Sequence, residues 1–359
     1  MIREADVARR KKPEKQAASA AAGAVKADEL YQKLVRDIEE KYGPGTLIHL
    51  GELTASCPHY STGILSLDEA SGIGGLPRGR IVEIYGPEAA GKTLLSLQCI
   101  ASVQKEGGRC AFIDVEQAMN TGFAAMLGVD LDNLAFVQPQ SGEQALDIMI
   151  SLAESGLFSL IAVDSVAALL PEAEIDGDML DLQLGAQARM MSKALRRCGP
   201  VLNQMGTTVI FINQLRERIG MTFGNPEVTP GGRALKFYAS MRLEVRRKET
   251  LRTGSEITGS TISVRVTKNK VAAPFREAEF DLYFDSGISL EKQILSRAVE
   301  LGLIGKTGSW YSLDGEKIGQ GTQSAVEWLR QNPEQARSLE NSVRREMGLD
   351  DQDCPAEEA

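Results

Sequence analysis

The segment that most constrains this chain is Ile81-Val82-Glu83-Ile84-Tyr85, followed by Gly86-Pro87-Glu88-Ala89-Ala90-Gly91-Lys92-Thr93. The apolar, β-branched run predicts a buried strand, and Leu94 to Val103 predicts a helix. Between them two glycines let the backbone curl so that its N–H groups face inward. Phosphate is expected at the helix N-terminus, where unpaired N–H groups and the helix dipole both favour anions. Lys92 is placed to reach the β- and γ-phosphates of a nucleoside triphosphate, and the Thr93 hydroxyl to take one position on Mg²⁺. A plain glycine turn has the same spacing, but correct flanks on both sides favour the phosphate reading.

Three further apolar runs end in polar groups suited to the same chemistry. Leu160-Ile161-Ala162-Val163-Asp164 closes on a carboxylate expected to serve Mg²⁺, directly or through water. Phe112-Ile113-Asp114-Val115-Glu116 closes on two, and ligand sites of open α/β sheets lie at the carboxyl ends of strands. Glu116 is the residue expected to orient the attacking water. Val209-Ile210-Phe211-Ile212-Asn213-Gln214 ends in an amide that can bond a γ-phosphate and lose it on hydrolysis, switching the segment Leu215 to Thr229. Each residue taken alone also has a bland reading, Asp164 as a turn cap and Glu116 as an exposed loop residue.

The β and α patterns alternate along most of the chain, with helices expected over Gly142 to Ala153 and Gly185 to Met205. This predicts an α/β fold: a phosphate-loop NTPase core around a mostly parallel sheet. Thr261 to Thr267 and Glu279 to Phe284 are expected to extend it as a hairpin-like edge. Lys26 to Lys41 has helical periodicity and Thr46 to Leu50 reads as a short strand. That unit has no core of its own and must pack on something else. The expected divisions are a flexible arm (1–25), a small helix-strand unit (26–53), the core (54–287), a small C-terminal α/β domain (288–348) and an acidic disordered tail (349–359).

Composition narrows the function. Only His49 and His59 are histidines, too few and isolated for a zinc site or a Ser-His-Asp triad. Five cysteines, odd in number and in no CxxC pair, suggest a reducing compartment, hence the cytoplasm. No apolar run reaches the roughly twenty residues of a membrane span, so no membrane partner is expected. The N-terminus mixes Arg9-Arg10-Lys11-Lys12 with Glu4, Asp6 and Glu14, which reads as an arm and not a secretion signal. A net charge of -9 does not suit a simple basic nucleic-acid binder. The total hides segregation, however: acids crowd the last ten residues while bases gather at Arg216 to Arg218 and Arg242 to Lys248.

With these residues in view the chain resembles the RecA family of bacterial recombinases, DNA-dependent ATPases with a RecA-type core. The likeness includes Ser61-Thr62-Gly63 with Leu67-Asp68, Gly74 to Thr93, Val163-Asp164-Ser165, Ala188-Arg189-Met190-Met191-Ser192 and Phe211 to Gln214. It continues through Gly231-Gly232, Ala234 to Ser240, Lys268-Asn269-Lys270, Ala272 to Phe275, Trp310-Tyr311-Ser312 and Gly315 to Gly321, covering about Asp28 to Leu349.

The resemblance implies a helical filament on single-stranded DNA, pairing with a homologous duplex, strand exchange in recombinational repair, and activation of self-cleavage in a LexA-type repressor of the SOS response. It implies ATP bound between subunits, with Lys268 and Lys270 reaching it from the neighbour, and Asn120, Phe123 and Phe284 near the adenine. DNA-facing loops are expected at Glu172 to Arg189 and Leu215 to Arg233, using Arg189, Arg216, Arg218, Ile219, Phe223, Gly231 and Gly232. Met179, Leu180, Leu184 and Met221 are further apolar residues of these loops. Lys236 and Phe237 are expected at the subunit interface, and the 26–53 unit is expected to polymerise the filament.

This chain departs from the family pattern at Ala89-Ala90, where Ser-Ser or Ser-Gly is common, and at Leu94. It also departs at Gln117-Ala118-Met119-Asn120, at Phe123 and Phe284 in place of tyrosines, and at Pro230 in place of threonine. Two other readings stay open on sequence alone: a regulatory filament that exchanges strands poorly, and a metabolic phosphotransferase sharing the phosphate loop.

Overall fold

The computed structural model describes residues 29–43, 46–47, 57–177, 185–217 and 227–349. The chain divides into two compact units, 1–55 and 56–359. In the first, residues 29–42 form helix α1, with Leu30, Leu34 and Tyr42 exposed. Of the strand expected at Thr46 to Leu50, Thr46 and Leu47 are bends and the remainder lies outside the described residues.

The second unit opens with the short pair β1 (His59–Tyr60) and β2 (Leu76–Pro77), which flank α2 (Leu65–Ser71). The parallel part of the sheet follows: β3 (Ile81–Gly86), α3 (Lys92–Lys105), β4 (Cys110–Asp114), α4 (Thr121–Met126), β5 (Leu134–Val137), α5 (Gly142–Glu154) and β6 (Leu160–Asp164). A short helix α6 (Glu172–Ile175), the long α7 (Ala186–Met205) and β7 (Thr208–Gln214) come next. A two-residue ladder joins β8 (Arg216–Glu217) to β9 (Glu227–Val228). Helix α8 (Ala234–Tyr238) then leads into β10 (Met241–Thr253), β11 (Glu256–Asn269) and β12 (Glu277–Tyr283).

The main sheet has the order β12-β11-β10-β3-β7-β6-β4-β5. From β10 to β5 all pairings are parallel, and β11 and β12 add antiparallel at one edge. The strands are apolar on both faces because both are covered. Val82 and Ile84, Leu160 and Ala162, and Ile210 and Ile212 enter the layer packed on α3. Their alternates Ile81, Ile161, Val163, Val209 and Phe211 enter the layer packed on α5 and α7. The expected α/β core with a mostly parallel sheet is therefore what the chain forms. The antiparallel edge is longer than expected, because β10 runs on to Thr253 through a polar stretch that pairs with β11.

The C-terminal region has its own apolar core. It contains α9 (Leu290–Glu300), a three-stranded sheet of β13 (Gly305–Thr307), β14 (Trp310–Leu313) and β15 (Glu316–Gln320), then α10 (Thr322–Gln331) and α11 (Pro333–Glu346). Helix α11 is tied to the main core through Asp68 of α2. Its carboxylate accepts from Thr62 N (2.8 Å), Thr62 Oγ1 (2.6 Å), Ser61 Oγ (2.6 Å) and Arg344 Nη1 (3.2 Å).

Candidate nucleotide site

The loop between β3 and α3 is held in its curled form by backbone geometry. Gly91 caps α3 at φ 98°, a left-handed conformation that glycine adopts freely, and Ala89 takes φ 55°. Arg247 of β10 braces the loop by donating to Ala89 O (3.0 Å). Lys92 Nζ donates back to Pro87 O (2.6 Å), which lays the ammonium across the loop. Burial pulls the Lys92 pKa below the usual lysine value, while Asp164, Glu116 and Glu88 oppose that shift.

The ends of β4, β6 and β7 converge on this loop. Thr93 Oγ1 donates to Asp164 Oδ2 at 2.6 Å. Glu116, just past β4, accepts from Ser165 Oγ and, at 3.1 Å, from Gln214 Nε2 at the end of β7. Five predicted residues, Lys92, Thr93, Glu116, Asp164 and Gln214, are thus linked by bonds or by close charge. Ser165 had no expected role in the site; its signals are a hydroxyl following the strand-end aspartate and its place in the family-like run Val163-Asp164-Ser165.

The site is short of positive charge. Asp164 is pushed up to about 6, first by burial and then by the neighbouring charges of Glu116 and Asp114, against the Thr93 hydrogen bond and Lys92. A buried carboxylate in that state is suited to a cation. A hydroxyl beside one carboxylate, with phosphate oxygens completing the shell, is an oxygen donor set that matches magnesium. Among the described residues no group of three or more His, Cys, Asp or Glu forms a self-sufficient metal cage.

The other predicted positions are more dispersed. Asn120 caps α4, its Oδ1 accepting from Phe123 N at 3.0 Å. Phe123 packs partly into the core and Phe284 is exposed. Lys268 Nζ donates to the carbonyls of Lys236 (2.6 Å) and Phe237 (3.0 Å), and Lys270 Nζ to that of Phe237 (3.0 Å). Both ammonium groups therefore end on the C-terminal carbonyls of α8, where the helix dipole favours cations. Lys270 also lies over the Phe237 ring, 5.6 Å from its centroid, and that ring is 72% exposed.

Among the expected DNA-facing residues, Arg189 lies in the first turn of α7, where the helix expected over Gly185 to Met205 meets the end of the expected loop. Arg216 belongs to β8. Gly231 and Gly232 have φ of 83° and 77° and sit where a Cβ would come within 2.8 Å of Val166 and 2.9 Å of Ala188, so the chain there lies close against the turn after β6 and the start of α7. Arg218, Ile219, Met221 and Phe223, like Met179, Leu180 and Leu184, lie outside the described residues.

A strand, phosphate loop and helix, with acidic and amide groups at the ends of adjacent parallel strands, define a phosphate-loop nucleoside triphosphatase. Comparison with known proteins narrows the class. The RecA N-terminal domain matches residues 29–289 and the RecA C-terminal domain matches residues 292–348. Protein RecA of Cutibacterium acnes is 52% identical over 322 residues, which cover 89% of this chain and 92% of that protein. Protein RecA of Halalkalibacterium halodurans is 49% identical, covering 90% and 94%, and that of Nitratiruptor sp. 52% identical, covering 88% and 93%.

The chain belongs to the RecA family. It is a DNA-dependent ATPase and DNA recombinase of DNA repair that binds nucleotide and DNA and self-associates. The phosphotransferase alternative falls with that assignment. Among the described residues no helix is long and apolar enough to cross a membrane.

Proposed function

We propose that the nucleotide is ATP with Mg²⁺, and that the chain forms helical filaments on single-stranded DNA, pairs them with homologous duplex and exchanges strands. The observation that carries this reading is the convergence of Lys92, Thr93, Glu116, Asp164 and Gln214 at one end of the parallel sheet. Gly86 to Thr93 cradle the phosphates, and Lys92 neutralises the charge that develops on them. Thr93 and Asp164 would hold Mg²⁺, which when bound would screen the charge of the phosphates. Glu116 orients water, aided by the bonds from Ser165 and Gln214 that fix its carboxylate. Phosphoryl transfer rests on such positioning more than on a strong base.

Gln214 reports the γ-phosphate to the segment that follows it. Lys268 and Lys270 leave α8 to reach the ATP of the adjacent subunit, with Lys236 and Phe237 at that contact. Asn120, Phe123 and Phe284 border the base. Arg189, Arg216, Arg218, Ile219, Phe223, Gly231 and Gly232 face DNA, with cations on phosphates and apolar groups between bases. Residues 26–53 polymerise the filament, 54–287 form the core, 288–348 the C-terminal domain and 349–359 an acidic tail. A LexA-type repressor is a further partner, and the cytoplasm the compartment.

The test is ATP hydrolysis with and without single-stranded DNA, for wild type and Glu116→Gln. Wild type is expected to be strongly stimulated. The variant should bind ATP and DNA, hydrolyse at least a hundredfold more slowly and give filaments that persist under the electron microscope. Filaments of the variant that disassemble as fast as wild type would remove Glu116 from its role.

A further inference from the structure

The strand that enters the phosphate loop carries a glutamate in mid-run. Glu83 is fully buried between apolar neighbours, where an unpaired carboxylate is not tolerated. Its partners explain it. Arg242 of β10 donates to Oε2 at 2.5 Å, and Asn213 of β7 donates through Nδ2 to Oε1 at 3.0 Å. The Arg242 guanidinium lies over the Tyr85 ring, 4.3 Å from its centroid, and the Tyr85 hydroxyl is 2.9 Å from Thr267 Oγ1, one residue before Lys268.

Asn213 is also fully buried, and its amide can face only one way. The NH₂ group has two acceptors that cannot donate: the Glu83 carboxylate and, at 3.2 Å, the carbonyl of Pro230. Oδ1 is thereby left to accept from the N–H of Gln214 at 3.0 Å. Pro230 precedes Gly231 and Gly232, the two glycines that lie against Val166 and Ala188. One side chain thus holds both ends of the segment between β7 and α8: the amide that leads into it and the carbonyl that closes it.

We propose that Asn213, oriented by the Glu83–Arg242 ion pair, is the positioning residue that couples Gln214 to the end of the second DNA-facing segment. Through it, DNA held by that segment sets the Gln214 backbone and, through Gln214, the Glu116 carboxylate. This rests on the proposed role of Gln214. Neither Glu83 nor Asn213 touches nucleotide in this scheme; they act through Gln214.

The test exchanges the two groups. In the double variant Glu83→Gln, Asn213→Asp, the amide at 83 still accepts from Arg242 and donates to the carboxylate at 213, and the charge balance is kept. The carboxylate still accepts from Gln214 N–H but has no donor for Pro230 O. The double variant is expected to unfold within a few degrees of wild type and to keep its KM for ATP and its rate without DNA. Its stimulation by single-stranded DNA should fall at least tenfold. A loss of packing alone would lower the rates with and without DNA together.

Glu83→Gln alone, nearly isosteric, gives a second route if the double variant does not fold. Its new amide faces the Asn213 amide and turns it over, breaking the bond to Pro230 O and also the one that Oδ1 accepts from the Gln214 N–H. Wild-type stimulation in a folded variant of either kind overturns the proposal. Gln214→Asn is the control. If it loses stimulation while the exchanged pair keeps it, the coupling through Asn213 is wrong and the role of Gln214 stands; if both keep it, the role of Gln214 is wrong as well.

Discussion

Asp164 at the nucleotide site and Asp68 at the junction with the C-terminal domain are both buried aspartates whose carboxyl groups burial pushes upward. Their surroundings differ in sign. Asp68 receives four hydrogen bonds, one of them from Arg344, and its charge is matched within the fold. Asp164 receives one from Thr93 and faces Glu116 and Asp114, with Lys92 as the nearby cation. The same residue type is a structural tie where the protein completes its shell. Where the protein leaves that shell incomplete, it is the proposed site of Mg²⁺.

Breaking the paired carboxylate should have the larger effect. Arg344→Ala leaves Asp68 buried with its hydroxyl and amide donors but no cation, and breaking buried pairs in this way costs about 3 kcal/mol. Without Arg344 the Asp68 pKa rises further, so its charged form is the one penalised. The loss is therefore greatest at high pH and shrinks as the pH falls and Asp68 takes a proton. Thermal unfolding across pH measures this. Arg344→Ala combined with Asp68→Asn should recover most of the stability at neutral pH, and a double variant no better than the single one would mean that the lost packing of the arginine stem dominates.

The unpaired carboxylate should respond in the opposite direction. The folded-state value of about 6 for Asp164 lies above the ordinary 3.8. Its protonated form is favoured on folding, and that contribution is lost as pH rises through about 6. Roughly two units correspond to about 3 kcal/mol of charge burial. Asp164→Asn keeps an acceptor for Thr93 and removes the charge. The nucleotide-free variant should thus gain about 2–3 kcal/mol above pH 7 and nearly nothing below about pH 4, while hydrolysis is lost. A variant no more stable than wild type at pH 8 would show that Lys92 already compensates Asp164.

The contrast also marks what can be read from sequence. The phosphate loop, Asp164, Glu116 and Gln214 were legible because each closes an apolar run, and parallel strands deliver their carboxyl ends to one edge. The ties were less so. Asp68 and Arg344 are 276 residues apart, and neither stands in a pattern that names the other. Glu83 did carry a signal, a charge inside an apolar strand that requires a partner, but Arg242 and Asn213 become its neighbours only through the β10-β3-β7 order. The length of β10 was hidden because Arg246 to Thr253 lacks alternation and is held by pairing with β11.

Asn120 is the smallest and most discriminating case, a polar residue proposed to border the base whose visible partner is structural. Its Oδ1 caps α4 through Phe123 N. Losing such a cap costs about 1 kcal/mol, whereas aspartate caps as well as asparagine. Asn120→Ala should therefore lower the stability of the nucleotide-free protein by that amount, and Asn120→Asp should leave it within a few tenths. The two variants separate stability from recognition. If Asn120 acts only as a cap, the KM for ATP of Asn120→Asp equals that of wild type. If the residue also borders the base, exchanging an amide donor for an acceptor-only carboxylate shifts KM severalfold at unchanged stability. Steady-state hydrolysis beside thermal unfolding of both variants distinguishes these outcomes. An unchanged KM in both would remove Asn120 from the nucleotide site and leave Phe123 and Phe284 as its proposed neighbours of the base.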